Sequence, residues 1–141
     1  MANEARLLIS LQINKSNLQY QGRPTAFQAD VTLTEGPTPG FVLVSKFGTQ
    51  ISLTQLTRPG LCRFQNYSLL NNIAIGIYNT DQSEFYPFML LKPGESYVLR
   101  LHPEINEEYA GTGTGTTSEE NKFWAQAENA NSALLVEAFG A

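Results

Sequence analysis

The chain has 141 residues and a mass of 15.6 kDa, a size that suits one domain and leaves too little for two independent cores. Residues of the AVILMFWYC set make up 42% and DEKR only 16%, which suffices to close a core and excludes a charge-rich disordered chain. The net charge of -4 is uneven: residues 1–102 carry eight basic and six acidic residues (+2), residues 103–141 Lys122 against seven glutamates (-6).

No basic cluster tracks a strand or loop, so no nucleic-acid partner is expected. Dense apolar runs such as 41–44 and 88–91 have strand length, far below the roughly 18 residues of a membrane span, and no membrane association is expected. The opening Met1 to Arg6 followed by an alternating segment does not resemble a secretory leader, so no export signal is expected. The single Cys62 excludes an intrachain disulfide and, with only His102 beside it, a four-ligand zinc site; no metal and no cofactor is expected.

Leu7, Ile9, Leu11 and Ile13 alternate with Leu8, Ser10, Gln12 and Asn14, the two-residue repeat of a half-buried strand. The repeat returns at Phe27, Ala29, Val31 and Leu33 after the breaker Gly22-Arg23-Pro24. Residues 35–40, with two prolines and two glycines, read as a loop. Residues 41–47 are apolar on both alternating sets, as in a strand covered on two sides, and Gly48-Thr49 turns into 50–57 to give an expected hairpin. After Arg58-Pro59-Gly60 comes a strand over 61–66. A row of Ile73, Ile75 and Ile77 then contains Gly76, which marks a bulge or a close approach.

Residues 85–91 and 96–101 flank Lys92-Pro93-Gly94-Glu95, where Pro93 presets the first central angle of a type II turn and Gly94 supplies the positive one. The stretch 103–122, built around Gly111 to Thr117, reads as a flexible loop. Residues 123–127 and 133–139 form the last two strands; the alanines give 121–135 some helix potential, opposed by its asparagines and β-rich flanks. About ten short strands separated by turns predict an all-β fold, an antiparallel β-sandwich or jelly-roll-like domain over 1–141 with a short N-terminal arm.

His102 lacks a neighbour in sequence that would orient it as a base, and catalysis is not expected. Cys62 shares a strand face with Phe64 while Arg63 points the other way, so it reads as core rather than nucleophile. The Gly111 to Thr117 run lacks the helix and the Gly-Lys-Ser/Thr ending of a phosphate loop. Asp81, Ser83 and Glu84 are too few oxygens for calcium. Asn14-Lys15-Ser16 and Asn66-Tyr67-Ser68 match the glycosylation sequon by accident in a chain without export. Aromatics carry more: neighbours Phe85 and Tyr86 face opposite sides of a strand, so one needs a cover beyond the core. Phe41, Tyr86, Phe88 and Trp124 are the candidate partner-contact residues; protein contact is favoured over sugar stacking because one Trp has few grouped amides around it.

A succession of motifs over Arg58 to Phe139 resembles a family of small accessory virion proteins of tailed bacteriophages. The pieces are Gly60-Leu61-Cys62-Arg63-Phe64-Gln65-Asn66-Tyr67, Asn72-Ile73-Ala74-Ile75-Gly76, Phe85-Tyr86-Pro87-Phe88, Leu91-Lys92-Pro93-Gly94-Glu95, Leu99-Arg100-Leu101 and Phe123-Trp124-Ala125-Gln126-Ala127. Only their order is specific. The N-terminal 57 residues and the Gly/Thr stretch depart from that pattern. The resemblance implies a non-catalytic structural role in the virion, assembled in the host cytoplasm: capsid decoration or cement, or a neck or tail ring. It also implies the major capsid protein or other virion proteins as partners, and a homo-oligomer on the particle. A carbohydrate-binding module using Trp124 or Tyr86 as a platform is the alternative of another class.

Overall fold

The computed structural model describes residues 5–29, 35–102 and 121–141. The chain divides into two compact units, Met1–Thr32 and Leu33–Ala141, where a single sandwich with a short arm was expected. The described residues hold twelve strands, all paired antiparallel, and no helix.

The first unit is a β-ribbon. Strand β1 (Ala5–Ile9) pairs with β4 (Thr25–Ala29), and β2 (Gln12–Lys15) with β3 (Leu18–Gln21). Ser16 closes the β2–β3 turn with φ 47°, at the position where a II′ hairpin turn takes its positive angle. The strand expected to run unbroken from Leu7 to Ile13 is interrupted at Ser10 and Leu11, where Gly22 N–H donates to the Leu11 carbonyl at 2.8 Å. Period-two alternation survives such an irregularity, which is why the sequence does not betray it.

The register gives the ribbon unequal faces. Leu7 stands opposite Phe27, Ile9 opposite Thr25 and Ile13 opposite Tyr20, whereas Gln12 opposite Gln21 and Asn14 opposite Gln19 make an amide-lined face. The ribbon is amphipathic, Leu8 opposite Ala26 being the exception, and among the described residues of this unit no second sheet layer covers its apolar side.

The second unit comprises β5 (Thr38–Val44), β6 (Thr49–Gln50), β7 (Pro59–Asn66), β8 (Ile73–Asn79), β9 (Glu84–Leu91), β10 (Ser96–Arg100), β11 (Asn121–Ala127) and β12 (Ser132–Gly140). They form two four-stranded sheets, β10-β7-β12-β5 and β6-β11-β8-β9. Counting from β5, one sheet runs first, eighth, third, sixth and the other second, seventh, fourth, fifth. That is the strand order of a jelly roll. The expected all-β sandwich is therefore the observed fold.

Between the sheets lie Cys62 and Phe64 of β7, Ile73 and Ile75 of β8, Phe123, Ala125 and Ala127 of β11, and Leu134, Val136 and Ala138 of β12, all buried. Phe64 and Phe123 meet edge to face across the sheets with ring centroids 6.0 Å apart. Every second residue of β7 and β12 is buried, which is how their alternating sequence becomes a core face.

Several expectations are corrected. Residues 41–57 do not form a hairpin: β5 pairs with β12 and β6 with β11, in opposite sheets. The turn responsible is tight, with Gly48 N–H donating to the Ser45 carbonyl at 3.1 Å and Gly48 at φ 101°. Strand β5 begins at Thr38, inside the expected loop, and is not covered on two sides, since Phe41 and Leu43 are each 65% exposed. The Lys92 to Glu95 turn has its expected form, with Gly94 at φ 83° and Glu95 N–H donating to the Lys92 carbonyl at 3.0 Å, yet it carries the chain from one sheet to the other. Gly76 does mark a bulge, formed in β9 where Gly76 faces Pro87 and Ile75 faces Met89. The expected flexible stretch 103–122 lies outside the described residues except for Asn121 and Lys122, which open β11.

Cys62 is fully buried, and burial, followed by the charge of Glu137, pushes its thiol up to about 12. Alkylation of the native protein at pH 8 is expected to run roughly a hundredfold or more slower than in denaturant; equal rates would remove Cys62 from the core.

Candidate interaction surfaces

The outer face of the β10-β7-β12-β5 sheet is built in rows by its registers. One row runs Ser96, Gln65, Leu135, Phe41; the next runs Val98, Arg63, Glu137, Pro39. Arg63 pairs with Glu137, Nε donating to Oε1 at 2.7 Å, and Arg63 Nη1 donates to Gln65 Oε1 at 2.9 Å. Charge is thus neutralised at the middle of the sheet, while its β5 side is apolar. Phe41 lies edge-on to Tyr67 at 5.0 Å, and Leu43 stands opposite Ala133. Beside this stripe, β5 is a sheet-edge strand whose described neighbour is β12 alone.

The loops at one end of the sandwich are tied together. Asn66 is fully buried; its amide nitrogen donates to the carbonyls of Asn71 (2.8 Å) and Leu91 (3.0 Å), and its Oδ1 accepts from Ser68 N–H (2.8 Å). Its backbone N–H donates to the Glu95 carbonyl and Tyr67 N–H to that of Ala133. This internal scaffold holds up Leu69 and Leu70, 90% and 86% exposed. Sequence reasoning missed them; two adjacent leucines inside the polar run Ser68 to Asn72 were the available signal. It also leaves no room for a glycan on Asn66.

The four residues expected to touch partners do not form one site. Phe41 lies on the exposed stripe just described. Tyr86 and Phe88 lie along β9, an edge of the other sheet, with Leu90 exposed beside them. The Tyr86 hydroxyl sits 2.6 Å from Gln82 Oε1 and 2.8 Å from Glu84 Oε2, and the hydrogen bond to Glu84 raises its pKa.

Trp124 is half-buried on β11, stacked on Tyr78 at 4.6 Å with 20° between the rings. Its Nε1 is buried and has no hydrogen-bond partner among the described residues, beneath Gly48. A Cβ on Gly48 would lie 1.9 Å from Nε1, at a φ where side chains are strained. Gly48→Ala is expected to cost about 1–3 kcal/mol and to shift the emission of this single tryptophan, read by fluorescence during urea unfolding. Unchanged emission and midpoint would contradict the packing.

An open cleft of about 630 Å³ is lined by Glu35, Gly36, Pro37, Thr38, Pro39, Ser52, Thr54 and Gln55. Its carboxylate is already engaged: Glu35 Oε1 accepts from Thr57 Oγ1 at 2.6 Å and Oε2 from Thr57 N–H at 2.7 Å. The side-chain bond first, and the backbone bond second, hold its pKa below the ordinary 4.5. A lowered carboxyl pKa stabilises the fold above the unfolded-state value and loses that contribution as pH falls through the folded value. A carbon-13 carboxyl titration should give a midpoint below 4.5 for Glu35. Thr57→Val should move the midpoint up without fully restoring it, because the backbone bond remains. An ordinary midpoint in the parent would contradict this geometry.

Among the described residues no group of three or more His, Cys, Asp or Glu side chains is placed to hold a metal ion. His102 is exposed just after β10. The Gly111 to Thr117 run lies outside the described residues. What the described surface offers is apolar area: the β5 stripe, the Leu69-Leu70 loop, the β9 edge and the ribbon, where Leu8 is 72% exposed and Ile9, Leu11, Leu18 and Tyr20 are more than half exposed. Isolated apolar residues on a surface are ordinary, but grouped ones mark contact sites.

Comparison with protein-family models, with curated proteins and with solved structures finds no match to this chain.

Proposed function

We propose that this chain is a non-catalytic structural component of a tailed-phage particle, an accessory capsid protein that decorates or cements the shell. The ribbon carries the reading. A two-stranded hairpin is marginal in water, and this one leaves large apolar side chains from Leu8 to Phe27 exposed. Such a segment gains its stability when another surface covers it. The motif order over Arg58 to Phe139 adds the particle context, and the jelly roll is one of several folds compatible with it.

The mechanism is multivalent. Phe41, Tyr86, Phe88 and Trp124 lie in separate places, so a copy touches several neighbours through modest contacts. On a symmetric shell those contacts add through effective concentration. A sugar platform at Trp124 is less well supported, because one ring face is taken by Tyr78.

The test is reconstitution. Particles assembled without this chain should take up the purified protein at a fixed ratio to the capsid subunit and should then open at a higher temperature. Failure to bind, or binding equal to that on unrelated proteins, would contradict the proposal.

A further inference from the structure

We infer that the ribbon is a separately opening unit: in the intact protein residues 5–29 unpair and re-pair while the sandwich stays folded, and cover by a partner is what fixes them. The opening rests on the fold alone; the cover rests on the reading of the chain as an assembly component.

Burial separates the two units. Among residues 5–29 only Ala29 is buried, whereas the sandwich closes on Phe64, Phe123, Ile75 and Leu134. Ordering the backbone costs conformational entropy at every residue, and burial is the main gain that offsets it. The ribbon has instead two short ladders and cross-strand pairs such as Leu7 with Phe27 and Ile13 with Tyr20. Such contacts leave a two-stranded structure marginal in water. The ladders are also discontinuous: β1–β4 and β2–β3 are separate two-stranded sheets, parted by residues 10–11 on one side and 22–24 on the other. The β2–β3 turn adds strain, because Ser16 carries a Cβ at φ 47°, in the left-handed region that favours glycine.

Each of these features lies within the ribbon, so its opening does not require the sandwich to unfold. The free chain therefore alternates between paired and open forms of the ribbon. A surface that covers the apolar side draws the population to the paired form.

Hydrogen exchange of the purified full chain resolves the two units. Amides of β1 to β4 should exchange about a hundredfold or more faster than those of β7, β8, β11 and β12. Ser16→Gly relieves the turn, so it should slow ribbon exchange severalfold without moving the urea midpoint read from Trp124, the single tryptophan, which lies on the sandwich. A substitution that gains order cannot be mistaken for one that fails to fold. Phe64→Ala should quicken exchange in the sandwich and leave the ribbon rates as they are.

Ribbon amides as slow as those of the core strands, a urea midpoint that rises with Ser16→Gly, or a Phe64→Ala variant that quickens both units would each show one cooperative body and overturn the inference. In protein taken up by particles the ribbon amides should slow toward the core rates; a ribbon still open in bound protein would overturn its fixing by a partner. Absence from particles would instead remove the virion reading and leave the separate opening standing.

Discussion

Phe64→Ala should lower stability by about 3–5 kcal/mol, a large share of the roughly 5–15 kcal/mol typical of a domain. Phe64 is fully buried on β7 and meets Phe123 of the opposite sheet at 6.0 Å, so truncation removes contacts from both layers. The sheets that would have to close over the vacancy are fixed by their own ladders, which keeps the cavity open and the penalty high. Urea unfolding should show a lower midpoint with an unchanged slope. Val98→Ala, on the outer face of β10 opposite Arg63, should cost less than about 1 kcal/mol. Equal losses at the two sites would contradict the assignment of inner and outer faces.

Asn66→Ala should cost about 3 kcal/mol. It removes the donor to the Asn71 and Leu91 carbonyls and the acceptor of Ser68 N–H at a site with no exposed surface. Asn66→Asp keeps the volume and the acceptor but replaces the donating group with an oxygen facing two carbonyls. It should be worse than alanine near neutral pH. Protonation of the new carboxyl returns one donor, so the Asn66→Asp variant should regain stability as pH falls through the raised folded pKa of that carboxyl. Hydrogen exchange of residues 67–72 reports the loop directly: it should quicken in both variants. Exchange as slow as in the parent would show that Asn66 does not hold the loop.

Alternation was readable wherever one face is core. Ile73, Ile75 and Ile77, Cys62 and Phe64, and the last strand all follow it, and Pro93-Gly94 announces its turn by backbone chemistry alone. Sheet membership was not readable. A strand looks the same whether its partner lies beside it or in the opposite layer, so 41–57 suggested a hairpin where the chain in fact changes sheets, and the turn at 92–95 gave no sign that it crosses between layers. The division at Thr32 escaped for a related reason, because an amphipathic ribbon and a sandwich strand share a period of two.

The candidate surfaces were legible in part. Phe41, Tyr86, Phe88 and Trp124 stand out as aromatics exceeding what one face can bury, but their separation onto different sheets depends on long-range pairing. Trp124 was half-hidden by Gly48, a neighbour 76 positions away in the chain. Leu43, Leu69 and Leu70 escaped because leucine is ordinarily core, and only the fold reveals which leucines lack a cover.

The proposal that this chain supplies surface to a larger particle stands or falls on particle composition. Quantitative mass spectrometry of purified particles, with isotope-labelled peptides of this chain and of the capsid subunit as standards, counts its copies. Shell decoration requires on the order of hundreds of copies per particle, and a closed neck or tail ring roughly a dozen. A count in the hundreds is the expected result; absence from purified particles would contradict the proposal.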